Sequence, residues 1–172
     1  MEIKITTENK LGQIEHITYQ DVESDRDFKD KKIKGCRAYC FYKEKFVIVY
    51  TKSKDHWTPP GGGVEEGETV RDTVRREVKE ETNMEVTKQR LMGLFEVERS
   101  GEIEYFTTSV CLVESSRPFV ADPDGDITEI KLIDFKDYKP YSDIRLPTIT
   151  DHMMLRALEI KAQLQSEVDF VK

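Results

Sequence analysis

The sequence of 172 residues lacks the long apolar segments of membrane proteins and the basic excess of many nucleic-acid-binding proteins. Its longest apolar run, FVIVY at 46–50, is too short to span a bilayer, and no basic segment followed by an apolar one opens the chain. The formal net charge of −7 disfavours binding to duplex nucleic acid, because phosphate backbones are held by clusters of Lys and Arg. We therefore expect a cytoplasmic protein that engages neither a membrane nor duplex nucleic acid.

Cysteine is scarce and its spacing excludes a zinc or disulfide framework. Cys36, Cys40 and Cys111 form an odd set without the paired spacing of metal ligands, so buried, reduced thiols are expected.

A calcium loop is also absent. The acidic stretch DPDGD at 122–126 lacks the glycine that must follow its third acid, and Ile133 occupies the position of the terminal ligand. We interpret this stretch as a polar turn.

Hydrophobic residues make up 37% and charged residues 35% of the chain, which is enough apolar material for one folded domain over 1–172. Strand-like alternation and two helical patterns follow one another without internal repeats. They favour α/β or α+β layers with a mixed sheet between helices. The expected parts are an N-terminal extension with peripheral strands at 1–34, a core at 36–135, and a C-terminal helix at 148–166 with Leu155, Leu158 and Ala162 on its apolar side.

The strongest local signal is a helix over 69–82. Its apolar face carries the three valines Val70, Val74 and Val78. Thr69, followed three residues later by Asp72, has the form of a capping box that satisfies free amides at the helix start. Asn83 tolerates the left-handed conformation that often ends a helix. The helix is therefore expected to begin and end within this short segment.

Three carboxylates of this helix, Glu77, Glu80 and Glu81, lie within the stretch REVKEE at 76–81. On a helical wheel of about 100° per residue, Glu77 and Glu81 project on the valine side and Glu80 lies at its margin. A run of acids is usually solvated surface, but a carboxylate on a core-facing side must be neutralised, paired or bound to a metal. Oxygen ligands without His or Cys favour Mg²⁺, with Mn²⁺ as a substitute.

The loop PPGGGVEEGE at 59–68 leads into this helix and allows a ligand to approach the backbone closely. It is not a P-loop, because no Gly-Lys-Ser/Thr follows, and a tight strand-to-helix turn is the alternative reading. The spacing is more specific. The segment from Gly62 to Met84 resembles the signature of the Nudix hydrolases, the MutT-like pyrophosphohydrolases. In it, Gly62 is followed after five residues by Glu68, and Glu68 after seven residues by REVKEETNM at 76–84. Asn83 stands where that signature has Gly, at a helix cap and not at a ligand.

The resemblance implies a Nudix-type α/β/α sandwich with a mixed β-sheet, in which the box spans 62–84. It also implies Mg²⁺-dependent hydrolysis of a phosphoanhydride in a nucleoside diphosphate linked to a group X. The metal ligands that it implies are Glu77, Glu80, Glu81 and the Gly61 carbonyl, and one of the glutamates would activate water. Gly62 would support the site, and Glu68 would pair with Arg76 to fix the loop against the helix.

Residues outside the box are weaker candidates. Glu129 resembles the additional acid that many Nudix enzymes recruit from a distant loop, and Glu102 and Glu104 compete for that role. Arg37 and Lys52 lie on or just after the first core hairpin, where basic side chains of the family often contact phosphate or base. For each of these residues an ordinary place on the surface is the alternative.

The resulting hypothesis is a small-nucleotide hydrolase, with a MutT-like nucleoside triphosphate pyrophosphohydrolase as its main form. Nucleotide sugars, dinucleoside polyphosphates and capped RNA ends are alternative substrates. A nucleotide-binding regulator without turnover is the alternative from another class, and the intact set of three helix glutamates argues against it. The family often forms homodimers, so a homodimer stays open for this chain.

Overall fold

The computed structural model describes residues 1–167 and contains one eight-stranded mixed sheet between two helices, which confirms the expected sandwich. The strands are β1 (Glu2–Glu8), β2 (Ile14–Asp21), β3 (Ile33–Tyr42), β4 (Lys45–Thr51), β5 (His56–Thr58), β6 (Met84–Arg99), β7 (Glu102–Ser115) and β8 (Ile127–Ile133). The helices are α1 (Val70–Thr82) and α2 (Pro147–Ser166). The strand order is β1-β2-β6-β7-β3-β4-β5, with β8 on β4, and β3 runs parallel to β7. No helix within residues 1–167 has the length and apolar character needed to cross a membrane.

Strand β3 separates two hydrophobic cores because its side chains alternate between the faces of the sheet. Cys36, Ala38 and Cys40 pack with the α1 valines, whereas Tyr39 and Phe41 pack with α2. The sequence of β4 is the continuous apolar run FVIVY because this strand is buried on both faces. The three cysteines are free and buried, as expected. The sheet is thus the middle layer, and each helix completes one core.

Helix α1 begins and ends where the sequence predicts. The Thr69 hydroxyl accepts a hydrogen bond from the Asp72 amide, and the Asp72 carboxylate accepts one from the Thr69 amide, each at 3.2 Å. Asn83 has φ of 56°, and its amide donates to the Lys79 carbonyl at 2.9 Å. These caps satisfy backbone groups that a helix end otherwise leaves unpaired. The glutamates of α1 are therefore fixed in register with the loop that precedes it.

The apolar side predicted for α2 is wrong. Leu155 and Leu158 are 66% and 46% exposed, and Ala162 is exposed as well. The buried side instead carries Ile149, Met153, Ala157, Ile160 and Leu164. A second set of apolar residues with helical spacing existed in the sequence, and packing against the aromatic core of the sheet decided between the two sets. The helix itself lies where it was expected.

The N-terminal segment forms a β1–β2 hairpin that extends the sheet through β2 and β6. Tyr19 of β2 is completely buried and packs edge-on against Phe95 and His152. Opposite its ring lies Gly93 of β6, where an added Cβ would overlap the Tyr19 ring. Glycine at this position is therefore what allows the hairpin to dock on the core.

We expect Gly93→Ala to lower the free energy of unfolding by about 1–3 kcal/mol, because the enclosed Tyr19 ring has no free space into which it can move. Urea denaturation followed by circular dichroism measures the change. Glu98→Ala, an exposed position on the same strand, should change the value by no more than about 0.5 kcal/mol. Equal effects of the two substitutions would contradict the role assigned to Gly93.

A buried carboxylate ties the hairpin to two other parts of the chain. Glu15 accepts hydrogen bonds from Arg99 Nε at 2.7 Å and from Arg145 Nη1 at 2.8 Å. The Asn9 amide donates to the same carboxylate at 3.2 Å. Burial alone raises the pKa of Glu15, but the hydrogen bonds from the two arginines and Asn9 outweigh it, so the pKa lies below its ordinary value of 4.5. Glu15 therefore stays ionised at neutral pH.

This lowered pKa predicts the pH dependence of the Glu15 contribution. A carboxyl whose pKa is lower in the folded state stabilises the protein above the ordinary pKa, and the contribution disappears as pH falls through the folded value. Glu15→Gln should therefore lower the free energy of unfolding by about 1–3 kcal/mol at pH 7. The difference from the wild type should shrink below about pH 4.5.

Urea denaturation between pH 3 and pH 7 tests this prediction, with the exposed Glu98→Gln as the control. A difference between wild type and Glu15→Gln that stays constant over the whole range would refute it.

Candidate active site

The loop before α1 takes the place of a strand beside β3. β4 pairs with β3 only at Phe41 and Tyr42 and then diverges. Further toward the start of β3, the Cys36 amide donates to the Gly62 carbonyl at 2.9 Å, and the Ala38 amide donates to the Pro60 carbonyl at 2.8 Å. The loop is therefore held at the level of the sheet, where side chains from both faces can reach it.

Gly61 is the residue that makes this close pairing feasible. Its φ of 152° is unfavourable for residues with a side chain, and a Cβ would overlap the Cys36 carbonyl oxygen. Its amide donates to Glu81 Oε2 at 2.9 Å from the α1 side. From the opposite face of the sheet, Arg37 Nη1 donates to the Gly61 carbonyl at 3.4 Å and to the Pro59 carbonyl at 3.2 Å. Side chains from both faces of the sheet thus meet at one residue, Gly61.

Glu81 has a strongly perturbed environment. Burial raises the pKa of its carboxyl to about 7. The hydrogen bond from Gly61 and the charge of Arg37 oppose this shift, whereas the carboxylates of Glu77 and Asp122 reinforce it. A half-buried carboxyl among other carboxyls is a favourable position for a cation, which would remove both the desolvation and the repulsion.

Glu77 lies against the same loop. Its side chain is 12% exposed, compared with 37% for Glu80, in agreement with the orientation that the helical wheel gives. A Cβ on Gly62 would overlap the Glu77 carboxylate, so the carboxylate rests directly on backbone. Burial raises the pKa of Glu77, although the neighbouring Arg76 opposes the shift. Gly62 therefore creates the space that Glu77 occupies.

Arg76 connects the charged groups of the loop with those of α1. Its guanidinium binds Glu68 through two bonds, Nε to Oε1 at 2.6 Å and Nη2 to Oε2 at 3.0 Å. Nη2 also donates to the Gly63 carbonyl at 2.9 Å, and Nη1 donates to Glu77 at 2.7 Å and to Glu80 at 3.2 Å. The Arg76 bonds hold the pKa of Glu68 at about 2. This arginine thus fixes the loop to α1 and faces two of the three helix glutamates.

The residues at the site fit a hard divalent cation in their chemistry. The available donors are carboxylate and carbonyl oxygens, which Mg²⁺ and Mn²⁺ prefer, and the pKa values of Glu77 and Glu81 are both raised. Within residues 1–167 no three His, Cys, Asp or Glu side chains converge on one preformed metal position. The reason is visible in the bonds, since Glu77 and Glu80 are directed to Arg76 and Glu81 to the Gly61 amide.

A cleft of about 1110 Å³ adjoins this loop on the α2 face. Pro59 of the loop belongs to its wall, and Arg37, also in the wall, donates to the Gly61 carbonyl, so the cleft adjoins the glutamate site through these two residues. Its aromatic wall consists of Tyr39, Trp57, Phe95, Tyr138 and Tyr141. Apolar rings combined with a few fixed polar groups are typical of a small-molecule site.

The other predicted candidates lie apart from this site in the described contacts. Glu129 is exposed on β8, opposite Tyr50 of β4, and Lys52 is exposed in the short helical turn after β4. Glu102 is exposed at the start of β7, and Glu104 pairs with Lys34 and Arg99. Within residues 1–167 none of these four residues forms a hydrogen bond or ion pair with the glutamates of α1.

Sequence reasoning missed Asp122. This residue precedes β8, is partly buried, accepts a hydrogen bond from the Ile127 amide at 3.0 Å, and contributes to the raised pKa of Glu81. The stretch DPDGD, which contains it, was interpreted as a polar turn. No periodicity or spacing could have shown that the charge of Asp122 acts on Glu81, because this depends on the path of the loop between β7 and β8.

A match to a family model shows the class of protein to which this fold belongs. The NUDIX domain description matches residues 35–153, which is well over half of the chain. The chain therefore belongs to the Nudix hydrolase family, whose members act on nucleoside diphosphate derivatives and generally use divalent metal ions.

Similar proteins were found among curated sequences and solved structures. The chain is 38% identical over 52 residues to the uncharacterized Nudix hydrolase YvcI of Bacillus subtilis, which covers 30% of this chain and 33% of that protein. It is 37% identical over 68 residues to diphosphoinositol polyphosphate phosphohydrolase 2 of Rattus norvegicus, with 38% of each chain covered. The match thus spans between a third and two fifths of these relatives.

Two solved structures share the fold at low identity. The pyrophosphohydrolase BsRppH of Bacillus subtilis, an E68A mutant, has a TM-score of 0.67 at 18% identity and covers 93% of this chain and 99% of its own. An Ap4A hydrolase of C. elegans has a TM-score of 0.60 at 17% identity, covering 77% of this chain and 99% of its own. At these identities the likeness supports the architecture of the sheet and helices.

We expect Arg76→Ala to lower the free energy of unfolding by about 1–3 kcal/mol, because it leaves the partly buried Glu68 and Glu77 carboxylates without their cation. Urea denaturation at pH 7 without added metal measures the loss. Arg71→Ala on the exposed side of the same helix is the matched control and should have little effect. If both substitutions cost the same, Arg76 does not organise the site.

Proposed function

We propose that this protein is a Mg²⁺-dependent hydrolase of a phosphoanhydride in a nucleoside diphosphate linked to a group X, with nucleoside triphosphates as the main substrates. One observation carries the proposal. Two half-buried glutamates with raised pKa values rest on the backbone of Gly61 and Gly62, and the same loop borders a cationic and aromatic cleft through Pro59. The first feature suits a divalent cation and the second suits a nucleotide.

The proposed metal ligands are Glu77, Glu80, Glu81 and the Gly61 carbonyl, with Mn²⁺ as a substitute for Mg²⁺. Asp122 is a partly buried acid whose charge acts on Glu81, and we assign it ahead of the exposed Glu129 as the acid recruited from outside the box. Gly62, Glu68 and Arg76 support the site, since the glycine makes room for Glu77 and the ion pair fixes the loop to α1.

Bound Mg²⁺ would supply neutralisation of phosphate charge and polarisation of the phosphoanhydride. The chain contributes orientation, proton transfer and binding. A glutamate carboxylate of α1 accepts the proton of the attacking water, the water oxygen forms a bond to phosphorus, and the bridging P–O bond breaks toward the leaving phosphate. Arg37 lies between the loop and the cleft and retains N–H groups without a partner in residues 1–167, so we assign it to a substrate phosphate.

The aromatic wall of the cleft is assigned to the nucleoside, because the faces of Trp57 and Phe95 are the kind of surface on which a base stacks. Lys52 stays a weaker candidate for substrate binding, since it is exposed.

Dinucleoside polyphosphates, nucleotide sugars and capped RNA ends are alternative substrates that contain the same phosphoanhydride bond. A regulator without turnover would need no carboxylate poised at the loop.

A turnover screen tests the proposal. Nucleoside triphosphates, dinucleoside polyphosphates and nucleotide sugars are incubated with the protein and Mg²⁺, and released phosphate and pyrophosphate are measured. We expect cleavage of nucleoside triphosphates. Binding of Mn²⁺ without cleavage of any compound would favour the regulator.

Glu81→Gln should lower turnover about 10²-fold or more, because it removes a proposed ligand and a candidate general base without changing the size of the side chain. Titration of Mn²⁺ should show an affinity lower by about tenfold or more. Glu66→Gln, an exposed residue of the same loop, is the control and should behave as the wild type. Metal affinity and turnover that survive in Glu81→Gln would rule out its proposed role.

A further inference from the structure

The charge of the cleft is opposite to the charge of the chain. The protein has a formal net charge of −7, but four cationic side chains and a single carboxylate line this cleft. The cations are Lys10, Arg37, Arg99 and Arg145, and the carboxylate is Asp143. Such a concentration of positive charge in an acidic protein points to an anionic ligand along the whole cleft.

These cations lie at two separate ends. Arg37 of β3 is opposite Thr108 of β7, which is opposite Gly93 of β6. Arg99 lies six residues further along β6, or about 20 Å at the usual rise of a strand. Between them, β6 presents Phe95 to the cleft. From the glutamate site outward, the wall therefore presents the cation Arg37, the ring of Phe95 and then a second cationic group formed by Arg99, Arg145 and Lys10.

The second cationic group is built around Glu15. One carboxylate oxygen accepts from Arg99 Nε at 2.7 Å and the other from Arg145 Nη1 at 2.8 Å, so the two guanidinium groups are held side by side. Arg145 also binds Asp143 through Nε and Nη2. Arg99 Nη2 has no hydrogen-bond partner within residues 1–167, and the charge of Lys10 acts on Asp143. Arg99 therefore offers a free guanidinium nitrogen beside the oriented charge of Arg145, an arrangement that matches the oxygens of a phosphate.

Nearby carboxylates do not cancel this group. Glu15 and Asp143 offset two of its three cations, and the adjacent Glu104, which contacts Arg99 at 3.5 Å, is also paired with Lys34. Glu15 comes from the N-terminal hairpin and Arg145 from the segment before α2. The arrangement therefore joins three distant parts of the chain at the far end of the cleft.

We infer that Arg99 and Arg145 bind a second phosphate of the substrate, on the far side of the nucleoside from the cleaved anhydride, and that Glu15 is a positioning residue for both. The inference rests on the proposed function, which places the anhydride at Gly61 and the nucleoside on the aromatic wall. The favoured substrate class is a nucleotide polyphosphate with an additional phosphate on its ribose. A nucleoside triphosphate alone would leave the far cations without an anion.

A binding experiment tests the inference without turnover. Adenosine 3′,5′-bisphosphate and ADP carry two phosphates each. The bisphosphate has one on each side of the ribose, whereas ADP has both on the 5′ side. Calorimetric titration at low salt and without divalent metal should show about tenfold tighter binding of the bisphosphate. Arg99→Ala should abolish that preference. Arg90→Ala should keep it, since Arg90 lies on the same strand with an equal exposure of 35% and pairs outside the cleft.

The positioning role has its own readout. Glu15→Gln does not remove a group assigned to the ligand, yet it should reduce the preference for the bisphosphate while the affinity for ADP stays unchanged. Arg99→Lys keeps the charge but loses the fork of donors, so it should retain only part of the preference. It replaces Arg99→Ala as the test variant if that substitution prevents folding. Equal binding of bisphosphate and ADP by the wild type, or no binding of either, overturns the inference. So does a preference that persists in Arg99→Ala.

Kinetics then identify the source of the second phosphate. ATP is compared with its 3′-phosphorylated form, with a triphosphorylated dinucleotide that carries a phosphodiester at the same position, and with a dinucleoside tetraphosphate. We expect a KM lower by about tenfold for one or both of the first two relative to ATP, at similar kcat, and loss of that gain in Arg99→Ala. A KM equal to that of ATP for both overturns the inference. If no compound is cleaved, the proposed function fails, and the calorimetric titrations still decide on the second phosphate site.

Discussion

The backbone of β3 pairs with the loop at Pro60–Gly62 where β4 diverges, and the site depends on this exchange of partners. The pairing holds Gly61 at the level of the sheet, so that Glu81 reaches its amide from the α1 face and Arg37 its carbonyl from the α2 face. A side chain at Gly61 would collide with the β3 backbone, and one at Gly62 would collide with the carboxylate of Glu77. The glycines are thus required by backbone packing as well as by access for a ligand.

Charge balance provides the second level of organisation. Arg76 binds Glu68 through two bonds and also faces Glu77 and Glu80. Within residues 1–167 the only hydrogen-bond donor to Glu81 is the Gly61 amide, and Arg37 acts on it through its charge. The carboxyl groups therefore differ sharply, with a pKa of about 2 for Glu68 and about 7 for Glu81. The same residue types take a structural role or a ligand-like role according to burial and to their partner.

The cleft shows how the rest of the chain extends the site of the family. Its wall combines β3, β6, the N-terminal hairpin and the segment before α2, and Glu15 binds arginines from two of these. A net charge of −7 disfavoured duplex nucleic acid as a partner, but it concealed a local excess of cations. Net charge describes the whole surface, while recognition depends on the few charges that a fold brings together.

Local rules acting over a few residues were sufficient for α1, because its caps, its valine face and the spacing from Gly62 to Glu81 all lie within one short segment. Those rules gave the direction of Glu77 and Glu81 and the sandwich around them. They could not give the buried face of α2, the approach of Asp122 to Glu81, or the meeting of Glu15 with Arg99 and Arg145. Each of these depends on contacts between residues far apart in the chain. The sequence by itself determined the helix and its glutamates, and only the tertiary structure decided which distant charges they meet, because long-range packing selects among patterns that are locally equivalent.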